Sequence, residues 1–176
     1  MVKSLADKYN KHKYRVTIGS PMGPFSFWGD DEAVTGAGFT KTMEADSEDL
    51  PGHMIECRRQ CIEYFDGQRT TFDFPMKAEG TEFQREVWDE MCRIPHGETR
   101  SYGQVATSID RPGGARAVGQ ACASNPIGLI QPCHRVIGSD GDLTGFGHQS
   151  KDLSLKRALI DHEAEAHVKP LEGFEG

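Results

Sequence analysis

The stretch Thr81–Ser124, TEFQREVWDEMCRIPHGETRSYGQVATSIDRPGGARAVGQACAS, decides how the second half of the chain folds. It contains two sequences of the capping-box type, Thr81-x-x-Gln84 and Ser101-x-x-Gln104. In a capping box, the side chains at both ends bond to each other's backbone N–H groups, which a helix start otherwise leaves unpaired. Each box therefore predicts the beginning of a helix.

Three short helices are expected in this stretch. The first has an apolar stripe at helical spacing, formed by Phe83, Val87, Trp88 and Met91. It ends near residues 94–97, which contain a proline and a glycine. The second covers about residues 104–109 and the third residues 114–123, with a glycine-containing turn between them. Two short helices joined in this way form the helix-turn-helix pattern, which many unrelated helical domains share.

The beginning of the chain predicts a mixed α/β unit instead. Short β-branched or aromatic runs at residues 14–18 and 25–28 indicate two paired strands, separated by a Gly/Pro cluster. Residues 50–65 then predict a helix. Three apolar side chains of that helix are expected near one face, namely Ile55, Ile62 and Phe65.

A polar stretch at residues 77–80 is the candidate linker between the two parts, because domain boundaries fall in exposed, breaker-containing segments. We therefore expect an α/β N-terminal domain over residues 1–76 and a mostly helical domain over residues 77–176.

The composition is that of a soluble globular protein. The chain has 176 residues, of which 36% are hydrophobic and 27% charged. No apolar run approaches the roughly 20 residues that span a bilayer, and the N-terminus lacks the apolar stretch of a secretory signal. The five cysteines are an odd number in a chain without an export signal, which favours free thiols over a disulfide framework. A cytoplasmic protein is expected.

The charge is distributed unevenly along the chain. The net charge of −7 argues against an extended electrostatic contact with nucleic acid, because such binding neutralises phosphates. Residues 100–157, however, hold seven lysines and arginines against four aspartates, which gives +3 and leaves −10 for the rest. A small DNA-binding face would fit this segment, although the charge alone is weak evidence.

A cysteine followed by a histidine and an arginine carries the clearest chemistry. A free thiol has a pKa of about 8.5, so a nucleophilic cysteine needs a nearby base or positive charge. His134 and Arg135 can supply them for Cys133. Because neighbouring residues of a strand point to opposite faces, Cys133 and His134 meet directly only in a turn, and otherwise a bridging water relays the proton. The spacing favours the relay.

The run Pro132-Cys133-His134-Arg135-Val136 resembles the active-site signature of the O6-alkylguanine-DNA alkyltransferases, also called methylated-DNA–protein-cysteine methyltransferases. Further matches follow in the family's order over about half of the chain. They are Thr81-Glu82-Phe83-Gln84, Ile94-Pro95-x-Gly97-Glu98-Thr99, Ser101-Tyr102, Ala115-Arg116-Ala117-Val118-Gly119, Asn125-Pro126 and His162-Glu163. The resemblance implies a ribonuclease H-like α/β N-terminal domain and a winged helix-turn-helix C-terminal domain, although the N-terminal residues carry no comparable motif.

The resemblance also implies a role for each matching catalytic residue. Cys133 is the alkyl acceptor, and His134 is the base that acts through a water. Glu163 orients the imidazole, in the logic of a nucleophile, base and orienter. Asn125 braces the active-site turn.

A second group of residues is expected to bind DNA and the damaged base. Arg116 corresponds to the family's intercalating arginine, which fills the space that the extruded nucleotide leaves in the stack. Tyr102 helps to rotate the nucleotide and hydrogen-bonds the base, and Val136 contacts the base edge. Arg135 is grouped with them, although a structural role in a buried ion pair is favoured for it. An atom inside the base stack is out of a side chain's reach, so extrusion is required.

The implied substrate is double-stranded DNA that carries O6-alkylguanine, with O4-alkylthymine as a second candidate. The implied reaction uses no cofactor and no metal ion, involves no membrane, and is carried out by a monomer. Since the thioether product is stable, each molecule acts once.

Three positions depart from the family's usual pattern. Gln131 replaces the aliphatic residue that often precedes Pro-Cys-His-Arg, which places a polar group beside the pocket. Gly128 stands where some members have proline. Residues 148–152 form a longer loop than usual, in a region that is expected to cover the alkyl-binding pocket.

The other cysteines and the histidines have simpler interpretations. Cys57 and Cys61 lie four residues apart on the predicted helix, a spacing open to two metal ligands, but small core residues are the favoured interpretation. Cys92 and Cys122 are expected on buried helix faces. A solvated position is expected for His12, His53 and His96.

Three other functions compete with alkyl transfer. A non-catalytic sensor of alkylated DNA with the same fold would lack the acceptor cysteine. A transcription regulator would leave the Pro-Cys-His-Arg-Val run unexplained. A cysteine hydrolase would need an oxyanion-hole motif, which is not evident in the sequence.

Overall fold

The computed structural model describes residues 12–143 and 153–168. The chain divides into two compact units, with the boundary between Glu79 and Gly80. Residues Pro126–Gly128 also belong to the first unit, where Ile127 forms a parallel bridge to Ala37. The chain therefore contributes to the first unit twice, the second time just before the segment that holds Cys133.

The first unit contains a three-stranded antiparallel sheet. Its strands are β1 (Tyr14–Ile18), β2 (Phe25–Gly29) and β3 (Val34–Phe39), in that spatial order. Ser20 and Gly23 exchange backbone hydrogen bonds in the turn between β1 and β2, where Gly23 has a φ of 107°. That conformation is open to glycine at little cost. The pairing of the two predicted strands is confirmed.

The strand β3 is missing from the sequence prediction, because two glycines weaken its strand pattern. Trp28 accounts for the first of them. It is the cross-strand partner of Gly36, and a Cβ at position 36 would lie 2.0 Å from Trp28 Nε1. The indole thus occupies the space that a side chain would need. At Gly38 no atom lies within 4 Å of the corresponding position.

The helix α1 (Gly52–Phe65) packs on the sheet. Its buried side includes Met54, Cys57, Cys61 and Tyr64. The predicted face is wrong for Ile55 and Ile62, which are 53% and 43% exposed. Each residue turns a helix by about 100°, so a stripe that begins at Met54 leaves the residues that follow it in sequence pointing outward.

Two of these buried residues form a pair of thiols. Cys57 and Cys61 are fully buried, and their Sγ atoms lie 3.9 Å apart. Burial raises the pKa of the Cys57 thiol far above its ordinary value. In the part of the chain that the structure describes, no group of three or more His, Cys, Asp or Glu residues is placed to hold a metal ion.

The second unit is mostly helical. Its elements in chain order are α2 (Glu82–Cys92), β4 (Arg100–Ser101), α3 (Tyr102–Ser108), α4 (Ala115–Ala123), a 3-10 turn (Cys133–Arg135), β5 (Val136–Ile137) and α5 (Ser154–Val168). The strands β4 and β5 pair in parallel, and α4 packs against both α2 and α3.

Both predicted capping boxes are present at the starts of α2 and α3. The Thr81 and Ser101 side chains accept from the backbone N–H of Gln84 and Gln104, whose side chains bond back. The second helix begins at Tyr102 and not near residue 104, because Gln104 is the third helical residue of the box.

The turn between α3 and α4 contains two residues with positive φ, Asp110 at 57° and Gly113 at 86°. Asparagine, aspartate and glycine are the residues that adopt this conformation most readily. The turn that joins α3 to α4 therefore has a composition that suits its backbone.

Two expectations about side-chain exposure are wrong in this unit. Cys92, the last residue of α2, is exposed, because the buried face of the helix runs through Val87, Trp88 and Met91. His96 is 6% exposed and so lies inside the unit. Among the residues described, no helix has the length and apolar character that crossing a bilayer requires.

Candidate active site

The turn that carries Cys133 is fixed by the local backbone. The Cys133 N–H donates to the carbonyl of Gln131 at 2.9 Å, across Pro132 with φ −83° and ψ 70°. These are the angles of an inverse γ-turn. The Arg135 N–H then donates to the Pro132 carbonyl at 3.0 Å within the 3-10 turn. Cys133 and His134 therefore lie in a turn, not in the extended strand from which the relay was argued. Even so, no hydrogen bond joins the thiol to the imidazole, since Nε2 bonds Glu163 and Nδ1 has no partner among the described residues.

Cys133 is 7% exposed, and its surroundings act on the thiol in two directions. Burial raises the pKa of Cys133 above its ordinary value. A hydrogen bond from the Asn125 side chain, the positive charge of Lys156 and backbone N–H groups act in the opposite direction. In the resting protein the thiol is thus protonated, with groups in place that stabilise a thiolate once a base takes the proton.

Asn125 joins the end of α4 to this turn. Its Nδ2 donates to the Gln131 carbonyl at 2.8 Å, the same oxygen that receives the Cys133 N–H. The side chain therefore fixes the residue that lies two positions before the thiol, and it also hydrogen-bonds the thiol itself.

His134 is fully buried and bonds through one ring nitrogen to Glu163. Its Nε2 lies 2.7 Å from Glu163 Oε1. Burial acts to raise the pKa of Glu163, but the hydrogen bonds with His134 and Arg135 hold it well below its usual range, so the carboxylate is ionised and accepts. Nε2 must then carry the hydrogen. Burial, opposed by Glu163, lowers the pKa of His134, so the ring is neutral and Nδ1 holds a lone pair.

Four further hydrogen bonds fix Glu163 and Arg135. Arg135 donates from Nε to Glu163 Oε2 at 2.9 Å and from Nη2 to Oε1 at 3.0 Å, and its Nη1 donates to the Ile94 carbonyl at 2.7 Å. The Gly97 N–H donates to Glu163 Oε2 at 3.1 Å. The structure therefore places Arg135 in a buried ion pair, which holds the carboxylate that in turn holds His134.

Lys156 belongs to the site and is missing from the sequence prediction. It is fully buried on α5, and its Nζ donates to the Val136 carbonyl at 2.6 Å and to the Tyr102 hydroxyl at 3.2 Å. Burial lowers the pKa of Lys156, and the Cys133 and Cys122 thiols act against this shift. A signal was present in the sequence, since position 156 lies seven residues before Glu163 and hence on the same helix face.

The remaining predicted residues divide into two sets. Tyr102, the first residue of α3, and Val136 both accept from Lys156, through the hydroxyl and the backbone carbonyl, so both lie with the residues around Cys133. Arg116, the second residue of α4, is exposed and stands apart from this cluster. The predicted loop at residues 148–152 lies outside the described residues.

The arrangement can activate a thiol for a nucleophilic displacement. It contains a buried nucleophile, a neutral imidazole with one nitrogen held by a carboxylate, and an ammonium group near the sulfur. A buried ammonium and an arginine–glutamate pair also stabilise charge without solvent. Such a site suits attack on an electrophilic carbon.

Comparison with known proteins gives one consistent result. Residues 82–165 match the family model for the 6-O-methylguanine DNA methyltransferase, DNA binding domain. The methylated-DNA–protein-cysteine methyltransferase of Methanosarcina barkeri is 43% identical over 155 residues, which cover 85% of this chain and 96% of the relative. The protein of the same name from Mycobacterium bovis is 42% identical over 151 residues, covering 84% and 90%.

Solved structures agree with these relatives. The crystal structure of the Mycobacterium tuberculosis O6-methylguanine methyltransferase has a TM-score of 0.76 at 40% identity, and covers 90% of this chain and 96% of its own. The structure of Mycobacterium tuberculosis OGT in complex with DNA has a TM-score of 0.76 at 41% identity, with coverages of 86% and 93%. The mixed α/β content of this chain is thus that of the solved fold.

Proposed function

The chain belongs to the methylated-DNA–protein-cysteine methyltransferase family, and we propose that it repairs alkylated DNA directly, by moving an alkyl group from O6 of guanine to Cys133. One observation carries this proposal. The buried thiol of Cys133 lies beside a neutral His134 whose ring is held by the ionised Glu163.

The first step is the activation of the thiol. With Nε2 bonded to Glu163, His134 has Nδ1 as its remaining basic atom, and Nδ1 is buried with no hydrogen-bond partner among the described residues. A water between Cys133 and Nδ1 takes the thiol proton and passes one of its own to the ring. The imidazolium that forms is stabilised by Glu163, as in a nucleophile, base and orienter triad.

The second step is displacement at the alkyl carbon. The thiolate forms a carbon–sulfur bond while the bond from carbon to O6 breaks, and the electron pair of that bond stays on the guanine. The guanine then takes up one proton, which balances the proton that the thiol lost to His134. Lys156 donates to the Tyr102 oxygen, which makes the phenol a better hydrogen-bond donor toward the departing base. The product is a thioether at Cys133 and an unmodified guanine, so one molecule repairs one lesion.

The damaged nucleotide must leave the base stack to reach this buried thiol. The α3–α4 pair is the candidate DNA-binding element, and Arg116, which is exposed near the start of α4, is the residue that we propose enters the stack. We assign these helices to a winged helix-turn-helix and the first unit to a ribonuclease H-like domain. Minor-groove docking suits a search for lesions, because little sequence is read there.

The proposed partner is double-stranded DNA that carries O6-alkylguanine, with O4-alkylthymine as a second candidate substrate. The proposed working form is a cytoplasmic monomer. The non-catalytic sensor of the same fold is not favoured, because the acceptor cysteine is present and the groups that activate it are assembled around it.

The test is a stoichiometry measurement with duplex DNA that contains one O6-methylguanine per molecule. The proposal predicts that native protein removes one methyl group per polypeptide and then stops, whereas Cys133→Ser removes none. Cys92→Ser is the matched control, since Cys92 is the exposed thiol, and it should remove one. Repeated turnover, or methyl removal by Cys133→Ser, would contradict the proposal.

A further inference from the structure

Gln131 lies two residues before Cys133 and is 7% exposed. Its backbone carbonyl is fully used, since it accepts from Asn125 Nδ2 at 2.8 Å and from the Cys133 N–H at 2.9 Å. The side chain is different. Its Oε1 is buried and has no hydrogen-bond partner among the residues that the structure describes.

A buried acceptor without a partner costs free energy, so such atoms are rare in folded proteins and point to a group that is bound in the working state. His134 Nδ1 is the other atom of this kind in the Cys133 turn. Gln131 comes two residues before Cys133 in the sequence, and His134 comes directly after it. Both need a hydrogen-bond donor, because Nδ1 holds a lone pair and Oε1 is a carbonyl oxygen.

We propose that Gln131 is a positioning residue for the water that relays the proton from Cys133 to His134, and that its Oε1 accepts that water's second hydrogen. The inference rests on the proposed function for the relay itself. A buried water typically makes about three hydrogen bonds, and the thiol, Nδ1 and Oε1 supply three partners.

The hydrogen-bond pattern remains complete as the proton moves. Before transfer, the thiol donates to the water oxygen, and the water donates to Nδ1 and to Gln131 Oε1. The water then gives a hydrogen to Nδ1 and receives the thiol hydrogen. Afterwards Nδ1–H donates to the water, and the water donates to the thiolate and still to Oε1. Gln131 Oε1 thus accepts a hydrogen bond from the water hydrogen that is not transferred, both before and after the proton moves.

The experiment measures the thiolate fraction of Cys133 without DNA, by titrating the ultraviolet absorbance of the thiolate, with Cys133→Ser as the baseline. Gln131→Met removes the acceptor at nearly constant length. Without Oε1 the water is held less firmly, which costs the thiolate–imidazolium pair more than the neutral pair, because hydrogen bonds to charged groups are the stronger ones. The apparent pKa of the Cys133 thiol should therefore rise, so that the thiolate fraction on the rising part of the titration falls by about two- to tenfold, the range expected for one net hydrogen bond. The difference should vanish at a pH where the thiol is ionised in both proteins.

The matched control is Ile130→Met, a change of similar size at the neighbouring buried residue, which carries no polar side-chain atom. It should leave the titration unchanged. Gln131→Ile, with the aliphatic side chain common at this position, is the second variant if Gln131→Met does not fold. An unchanged thiolate fraction in the folded Gln131 variant, or an equal change in Ile130→Met, would overturn the proposal.

This readout needs no alkylated DNA. Failure of methyl transfer by the native protein would therefore count against the proposed function alone. An unchanged titration in the Gln131 variant of an active protein would count against the role of Gln131 alone.

Discussion

Glu163 accepts hydrogen bonds from three different residues, His134, Arg135 and Gly97. Replacing it by glutamine would leave the Arg135 charge buried without its counter-ion. Breaking a buried pair on one side typically costs about 3–5 kcal/mol. We expect Glu163→Gln to lower the free energy of unfolding by about this amount at pH 7, measured by denaturant unfolding.

The pH dependence follows from the lowered pKa of Glu163. A carboxyl group whose pKa is lower in the folded state stabilises the fold above its unfolded value, and the contribution is lost as the pH falls further. The native protein should therefore lose stability as the pH drops below the ordinary value of 4.5, and Glu163→Gln should lose less. Glu48→Gln is the control, because that carboxylate is exposed. Equal pH profiles for native protein and Glu163→Gln would contradict this assignment.

Among the described residues, Lys156 is the only buried lysine. Its ammonium group lies near the Cys133 sulfur and donates to the Tyr102 hydroxyl and the Val136 carbonyl. Lys156→Met should slow methyl transfer by about ten- to a hundredfold, because hydrogen bonds from charged groups contribute about 1.5–3 kcal/mol. The measurement is the single-turnover rate on duplex DNA that contains O6-methylguanine. Lys41→Met, the same change at an exposed position of the first unit, should keep the native rate. A native rate in Lys156→Met would remove Lys156 from the account.

The sequence motifs predicted the residues that the structure brings together around Cys133, namely His134, Asn125 and Glu163, but they did not predict Lys156. A lysine in a helix is ordinarily exposed, and the seven-residue spacing to Glu163 indicates a shared helix face but not that this face is buried. Only the burial of the Glu163 face of α5 shows that position 156 points inward. Ile55 and Ile62 were misplaced for a related reason, since apolar identity does not determine which side of a helix meets the sheet.

Arg116 near the start of α4 is exposed, so its substitution should leave the fold intact. If the side chain fills the stack after extrusion, Arg116→Ala should slow transfer from duplex DNA by about ten- to a hundredfold, in line with the few kcal/mol that extrusion costs. Transfer from single-stranded DNA should slow much less. Arg93→Ala, another exposed arginine, is the control. Equal losses on both substrates would argue for a plain phosphate contact.

The pairing of β2 with β3 depends on Gly36, because its missing side chain leaves room for Trp28. Gly36→Ala should destabilise the first unit by about 1–3 kcal/mol, the usual cost of overpacking. Gly38→Ala is a matched control in the same strand, with open space at the added carbon. Denaturant unfolding followed by tryptophan fluorescence measures both. Equal stability of the two variants would show that the indole adjusts freely.

Helix starts were predictable where a local hydrogen-bond pattern defines them, as at Thr81 and Ser101. The strand β3 was not predictable, because two glycines are more typical of a loop than of a strand. The need for a glycine at position 36 becomes clear only from the position of the Trp28 indole. A capping box involves residues three positions apart, so the sequence pattern shows it directly. A cross-strand contact joins residues whose pairing the sequence pattern does not show.

The charge distribution of the whole chain restricts where DNA can bind. Residues 100–157 carry +3, whereas the remainder carries −10. An extended contact with phosphates is therefore unfavourable outside this segment. The segment contains the α3–α4 pair, Arg116 and the Cys133 turn. The positive charge, the candidate DNA-binding helices and the reactive thiol therefore all belong to the second unit.

The assignment of Pro126–Gly128 to the first unit could not be predicted, because it depends on the bridge between Ile127 and Ala37, which lie far apart in the sequence. Leu129, directly after this segment, has a φ of 71° and is not a glycine. Such a conformation costs free energy and persists only where the surrounding structure holds it. The connection into the Cys133 turn is thus determined by packing and not by local preference.

Intact-protein mass spectrometry, after incubation with duplex DNA that contains O6-methylguanine, tests the central claim most directly. Native protein should gain one methylene, about 14 Da, located at Cys133 by peptide mapping, and Cys133→Ala should gain nothing. DNA binding without any change in mass, or a methyl group found on another residue, would contradict direct transfer to Cys133.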